Sequence, residues 1–417
     1  MEISLLAHVA AAASRAATGS GGLKDGTDLP ALQELAKTVT DPGRVRSVLI
    51  THVLRTAVAY ADIINAVYPV SAIIAISYSA DPEAVRRLRE KGYNVIVPAT
   101  VSEMFPACEQ AVVEALEASD QPLLVQEVGG YLAKYSERLG KYAHFLGVVE
   151  DTNNGHWAYE RTKPHSKPVL SMARSPLKDV EDTIIGDAVL FSIERVVREN
   201  FGSVLQGSRS AVIGFGKIGT STAVALRGRE SVVSIYDINP AKNMRARVEG
   251  FFPAPLKSVL AEADLVVGCT GQTSVRLVDM EHIKDGCVLA SASSKDYEFD
   301  LKGFASVCQV DKIDSVTARY RQPNGKSFYI LLDGTPINFR DGSILGTILD
   351  MIYCELLVCM RYVAEGKAPV DLSNSPPAVQ NEVAKAWLRA HSEDFAEATD
   401  DKVWTYPESL QLGMPKS

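Results

Sequence analysis

Patterns for metal ligation and disulfide formation are missing from this sequence. Its seven histidines show no HExxH or related spacing, which argues against a zinc site. Six cysteines, Cys108, Cys269, Cys287, Cys308, Cys354 and Cys359, are scattered without a CxxC pair. Several fall in apolar runs, so they read as buried free thiols in a reducing compartment. Dense basic patches are also lacking: 43 Lys and Arg stand against 51 Asp and Glu, a formal charge of −8, which argues against a nucleic-acid partner. No run reaches the roughly 18 uncharged apolar residues that a membrane span needs. Residues 1–17 carry Glu2 and lack a basic segment followed by a clean hydrophobic stretch, so the expected location is the cytoplasm.

What remains is ordinary globular material: 417 residues, 46% hydrophobic and 23% charged, enough for two or three domains. Short apolar runs at 48–50, 71–76, 93–97, 122–126 and 145–149 alternate with helical stretches such as 82–91. That alternation predicts a parallel sheet covered on both faces. Asp81-Pro82 is a helix-start signal. A long helix is expected over 179–201, a second α/β unit from Ser210 to about Asn338, and an apolar helix over 344–362. Residues 362–374 read as a polar connector, and Val379, Val383 and Trp387 mark one more helix. The Ala/Gly/Ser-rich residues 10–22 are expected to be mobile or loosely packed.

The strongest local signal is Gly214-Phe215-Gly216-Lys217-Ile218-Gly219, after the apolar run 210–213 and before a helical run to Arg227. Gly214 permits a tight turn, Gly216 lets backbone approach a pyrophosphate, and Gly219 allows helix to pack on strand. Asp237 follows eighteen residues after Gly219, at the end of the next strand, where a carboxylate accepts from the ribose hydroxyls of NAD and repels the phosphate of NADP. A ligand-free glycine turn would not require that acid. NAD is therefore the expected cofactor, and Thr270, Gly271 and Gln272, a small-residue turn after the run 265–267, are expected to pass beside it.

These features resemble the adenosylhomocysteinases over about residues 49–363. Glu150-Asp151-Thr152-Asn153-Asn154-Gly155 is similar to that family's glutamate-glutamate-triple-threonine-glycine motif. By resemblance, Asp151 is catalytic and Thr152, Asn153 and Asn154 reach the nicotinamide riboside. Lys178 and Asp182 resemble the family's Lys-x-x-x-Asp pair beside the substrate ribose. Ala225-Leu226-Arg227-Gly228, Glu249-Gly250, Arg319-Tyr320-Arg321, Asn324-Gly325 and Ile330-Leu331-Leu332-x-Gly334 fall in the family's order, ending at Asn338, which would approach the nicotinamide amide. His52 stands where the family's catalytic histidine sits. The implied fold is α/β, with two doubly wound parallel-sheet domains, the second a Rossmann NAD-binding domain. The expected division is a substrate-binding domain over 1–183, the NAD-binding domain over 184–342, a return to the first domain over 343–395, and a tail over 396–417. A homo-oligomer is also implied.

The departures cluster at one end of the expected site. Val128 stands where the family has an aspartate that handles substrate protons, and Glu127 would replace it only if the loop shifted. Ser291-Ala292-Ser293-Ser294 replaces Asn-Ile-Gly-His, Arg340-Asp341-Gly342-Ser343 replaces Gly-His-Pro-Ser, and residues 413–417 lack the family's Lys- and Tyr-bearing tail. The resemblance thus implies transient oxidation of a nucleoside-type substrate at C3′ of its ribose, with Lys178 as base, its pKa lowered by burial and the cofactor cation. Elimination, hydrolysis or epimerisation would follow. The alternatives are a dehydrogenase that releases NADH and a catalytically silent nucleoside sensor.

Overall fold

The computed structural model describes residues 27–397, except 41 and 294, together with Trp404. Residues 10–22 and the last residues of the 396–417 tail lie outside the described residues. Two sheets form the frame. The first contains β1 (Arg46–Thr51), β2 (Val70–Ala75), β3 (Val95–Ile96), β4 (Leu123–Glu127), β5 (Phe145–Glu150) and β6 (Pro168–Ser171). The second contains β7 (Arg209–Ile213), β8 (Val232–Tyr236), β9 (Phe252–Pro253), β10 (Leu265–Gly268), β11 (Cys287–Ser291), β12 (Gln309–Lys312), β13 (Thr317–Arg321) and β14 (Ser327–Leu331). The chain then returns, and β15 (Asp371–Asn374) pairs in parallel with β6.

The first sheet has the order β15-β6-β5-β4-β1-β2-β3, every pair parallel. The second runs β12-β13-β14-β11-β10-β7-β8-β9, with only the β12-β13-β14 meander antiparallel. Both sheets are doubly wound, as expected. Their strands bury residues on both faces: Leu49 packs on one side of β1 while Val48 and Ile50 pack on the other, and Val212 of β7 opposes Ala211 and Ile213. This double burial explains why the strands read as continuous apolar runs rather than alternating ones.

The segment after the second sheet covers the first. Helices Ile348–Ala364 and Pro377–His391 join helix Pro30–Ala36 on one face of that sheet. A buried carboxylate fastens the three: Asp350 accepts from Ala31 N at 2.9 Å, Leu32 N at 3.0 Å and His391 Nε2 at 2.8 Å. Two of these donors are free N–H groups of a helix start, where a negative charge is favoured. The apolar helix begins at Ile348, four residues later than expected, and the expected connector 362–374 contains the edge strand β15.

The long helix spans Pro176–Phe201, three residues earlier than expected, because Ser175 caps it through Leu177 N at 3.2 Å and Pro176 occupies its first turn. Lys178 and Asp182 therefore sit inside the helix, not before it. Midway, Gly186 lies against helix Lys217–Gly228: a Cβ there would come within 2.3 Å of Ser221 C and 2.5 Å of Thr222 N. Glycine is what permits this close crossing. Among the described residues, no helix is long and apolar enough to cross a membrane.

Candidate active site

In an open parallel sheet the winding reverses between two strands, and a crevice opens beyond their carboxyl ends. Here the reversal falls between β1 and β4 in the first sheet and between β7 and β10 in the second. The carboxyl ends of both sheets face one cavity of about 760 Å³. His52, Val128 and Asp151 line it from the first sheet; Gly214, Asp237 and Cys269 line it from the second. Such a volume is in the range of small-molecule and cofactor sites.

On the second sheet's side, Gly214 holds φ +96°, and a Cβ on Gly219 would meet Gly214 O at 1.7 Å, so both are bound to be glycine. A Cβ on Gly216 would meet nothing nearer than Lys242 Nζ at 3.9 Å. The turn is thus tight at its two ends and open in the middle, with room for a pyrophosphate to approach the backbone. Asp237 Oδ2 accepts from Phe215 N at 2.7 Å and Oδ1 from Asn239 N at 2.8 Å. These contacts aim the carboxylate along the cavity wall while leaving acceptor capacity on both oxygens. The residues fit the adenosine ribose and pyrophosphate of NAD.

Thr270, Gly271 and Gln272 line the same wall. Their turn is organised by Glu298, fully buried, which accepts from Thr270 N and Gly271 N, both at 2.6 Å, and from Ser293 Oγ at 2.5 Å. Sequence reasoning did not find Glu298, because a lone glutamate in a loop carries no periodic or motif signal. Asn154 comes from the first sheet's side and lies against Gly271, its Oδ1 3.0 Å from where a Cβ would stand. Asn153, Lys217 and Ile218 line the cavity as well. Thr152 caps helix Asn153–Arg161 through Gly155 N at 3.1 Å and donates to Glu150 Oε1 at 2.7 Å, so its hydroxyl is already engaged. Asn338, also on the wall, donates to Ser343 Oγ at 2.9 Å.

The ionisable centre lies where the long helix meets the end of β5. Lys178 Nζ is 3.1 Å from Asp151 Oδ1 and contacts Glu181. Asp151 Oδ1 is buried, and Lys178 is its partner. Burial pushes the Lys178 ammonium down, but Asp151, Glu181 and Asp182 together outweigh that and hold its pKa above the usual lysine range. This corrects the expected lowering: burial alone would favour the neutral amine, but three carboxylates surround this one. Glu181 is pushed up to about 7 by burial, against the attraction of Lys178.

Asp182 does not pair with Lys178, although their four-residue spacing allowed it. Its Oδ2 lies 3.7 Å from Lys217 Nζ, which also pairs with Asp179 at 2.5 Å. The helix turns Asp182 toward the glycine loop, while Glu181, one residue before it, takes the lysine. The partner was missed because i,i+3 and i,i+4 neighbours are both in reach on a helix, and only packing decides between them.

His52 ends β1. Its Nδ1 is 2.6 Å from Ser79 Oγ, and its ring stacks on Phe339 with centroids 4.5 Å apart. Burial lowers its pKa to about 4, so the imidazole is neutral at ordinary pH. With Nδ1 engaged, Nε2 is the nitrogen available to a ligand. Val128 lines the cavity as an apolar group. Glu127 does not replace it: the side chain is buried behind the sheet edge, accepting from Leu132 N at 2.8 Å and from Tyr159 OH. His156 is buried as well, with Nδ1 3.0 Å from Ser171 Oγ.

Residues 189–344 match the family described as S-adenosyl-L-homocysteine hydrolase, NAD binding domain. An adenosylhomocysteinase of Saccharolobus solfataricus is 24% identical over 387 residues, covering 90% of this chain and 92% of the relative. That of Sulfurisphaera tokodaii is 23% identical over 397 residues, covering 91% and 94%. That of Thermotoga maritima is 25% identical over 334 residues, covering 77% and 81%. The chain is thus similar to adenosylhomocysteinases over most of its length, its second sheet falls in a stretch that matches an NAD-binding domain, and NAD is its cofactor.

Proposed function

We propose that this chain oxidises the ribose of a nucleoside-type substrate transiently at C3′ and uses the resulting ketone to promote elimination, hydrolysis or epimerisation before the sugar is reduced again. The observation that carries this reading is the Lys178 cluster: a buried ammonium with Asp151 at 3.1 Å and Glu181 in contact, opening on the cavity that the glycine turn also lines. Bound NAD supplies the hydride acceptor for such an oxidation.

The chain's own groups divide the remaining work. Asp151, paired with Lys178 on the cavity wall, holds the ammonium where a ribose hydroxyl meets it. Lys178 is charged in the surroundings described, so it does not act as a free amine. The acid–base group is the Lys178–Glu181 pair: the proton leaving the substrate hydroxyl enters at Nζ as Nζ passes one to Glu181, whose pKa near 7 lets it hold a proton at neutral pH. Asp182 and Lys217 link this centre to the first turn after the glycine loop. Neutral His52 is the remaining base at the cavity, suited to moving a proton in the later steps. Val128 and the apolar walls beside it supply no carboxylate for the chemistry at C5′.

The deciding experiment incubates the purified protein with a panel of nucleosides deuterated at C3′. Under this reading, bound NADH appears transiently and the label is kept in the product. Stoichiometric free NADH carrying the label would make the protein a dehydrogenase. Tight NAD retention without any label exchange would make it a binding protein.

A further inference from the structure

The wall that receives the adenosine ribose contains a cation that the glycine fingerprint does not require. Lys242, in the first turn of helix Pro240–Val248, places Nζ 3.3 Å from Asp237 Oδ2. The same Nζ is the nearest group to the open middle of the glycine turn, 3.9 Å from a Cβ on Gly216. Asn243 fixes this geometry: its Oδ1 accepts from Asp237 N at 2.9 Å and its Nδ2 donates to Asp237 O at 2.6 Å, tying the end of β8 to the helix that carries the lysine. The backbone of that helix start is already occupied, since Asn239 Oδ1 takes Ala241 N at 2.9 Å and Pro240 has no N–H. An anion arriving here would therefore meet the side chain of Lys242 rather than the helix end.

We propose that Lys242 sets the cofactor selectivity of the site by forming a phosphate subsite beside Asp237, so that a dinucleotide phosphorylated on its adenosine ribose is accepted alongside NAD. A lone carboxylate at this place excludes such a phosphate by like-charge repulsion. Here the carboxylate is paired, and the lysine is partly exposed, its side chain 43% accessible, while that of Asp237 is 5%. The exposed member of the pair is the lysine, whose flexible stem lets the ammonium change partners. Nζ is thus free to leave Asp237 and meet a phosphate, whereas Asp237 stays fixed by Phe215 N and Asn239 N and keeps its acceptors for the hydroxyls of NAD. Selectivity then rests on two opposed charges in place of one. The inference concerns the cofactor wall alone and stands apart from the reaction proposed for the substrate.

The test is a competition. The full-length protein is equilibrated with an equimolar mixture of NAD and NADP, separated from free ligand and denatured, and the released dinucleotides are quantified by mass spectrometry. Both are expected from the unmutated protein, with NAD in excess. Lys242→Met keeps the aliphatic stem and removes the charge, and should raise the NAD:NADP ratio about tenfold, the scale of one charge-assisted contact. Lys242→Arg should leave the ratio within about threefold of the unmutated value. Release of NAD alone from the unmutated protein, or an unchanged ratio in Lys242→Met, would overturn the proposal.

Discussion

Lys178 and Asp151 meet at 3.1 Å across the start of the long helix and the end of β5, and the contact fixes the lysine as a cation. Lys178→Ala should abolish formation of bound NADH from substrate. An acid–base group of this kind contributes about 10²–10⁴-fold, so the loss should be visible in single-turnover absorbance at the NADH band. Bound NADH at the unmutated rate would remove Lys178 from the mechanism.

His52→Ala should behave differently. The ring is stacked on Phe339 and its Nδ1 is held by Ser79, not by the Lys178–Glu181 pair. The variant should form bound NADH but release product slowly. Rapid-mixing kinetics that follow NADH appearance and decay separately would reveal the difference.

Glu298→Ala should weaken NAD binding without touching the dinucleotide. Its removal leaves the half-buried Thr270 N and Gly271 N without the acceptor that holds their turn. Glu298→Gln keeps one acceptor oxygen and should recover part of the loss. Equilibrium NAD titration of the two variants checks the order.

Gly186→Ala should destabilise the whole molecule by about 1–3 kcal/mol, since the added methyl meets backbone, not a flexible side chain. Helix Lys217–Gly228 carries the glycine turn at its start, so NAD affinity should fall with Tm. Thermal melts with and without NAD would show both effects.

Stability should decline as pH rises through about 7 to 8. Glu127 and Glu150 are register partners on β4 and β5, and burial raises them to about 7 and about 8, with the Glu127 charge adding to the rise at Glu150. Folding therefore favours their protonated forms: the contribution is fully present below the ordinary value of 4.5 and is lost as pH passes the folded values. Tyr159 and Lys295 face the pair and limit the loss by stabilising the carboxylate. Glu127→Gln should flatten the dependence of Tm on pH in that window.

The two sheets and the glycine turn were legible because their signals are local: doubly buried strands read as apolar runs, and the turn needs glycine at fixed offsets. Asp81 was legible for the same reason, its Oδ1 taking Ala84 N at 2.7 Å. The edge strand β15 was not. Its sequence Asp-Leu-Ser-Asn has little strand preference, and it is held by backbone pairing to β6. Side-chain partnerships at the site were also hidden. Which of Glu181 and Asp182 takes Lys178 depends on how the long helix is rotated against β5, and Lys242 acquires meaning only when helix Pro240–Val248 folds back on Asp237.

The return of the chain to β6 has a consequence in time. A ribosome delivers β6 roughly two hundred residues before it delivers β15, and helix Ile348–Ala364, which covers the first sheet, also arrives late. Through that interval the β6 edge has no neighbouring strand and one face of the sheet lacks its cover. The intervening Rossmann unit has all its strands by Leu331 and is able to close first. During synthesis the nascent protein thus gains its cofactor half before its other half is finished, and dinucleotide binding to that half can begin while the last residues that line the cavity, Leu349, Ile352, Tyr353 and Leu356, are still inside the ribosome.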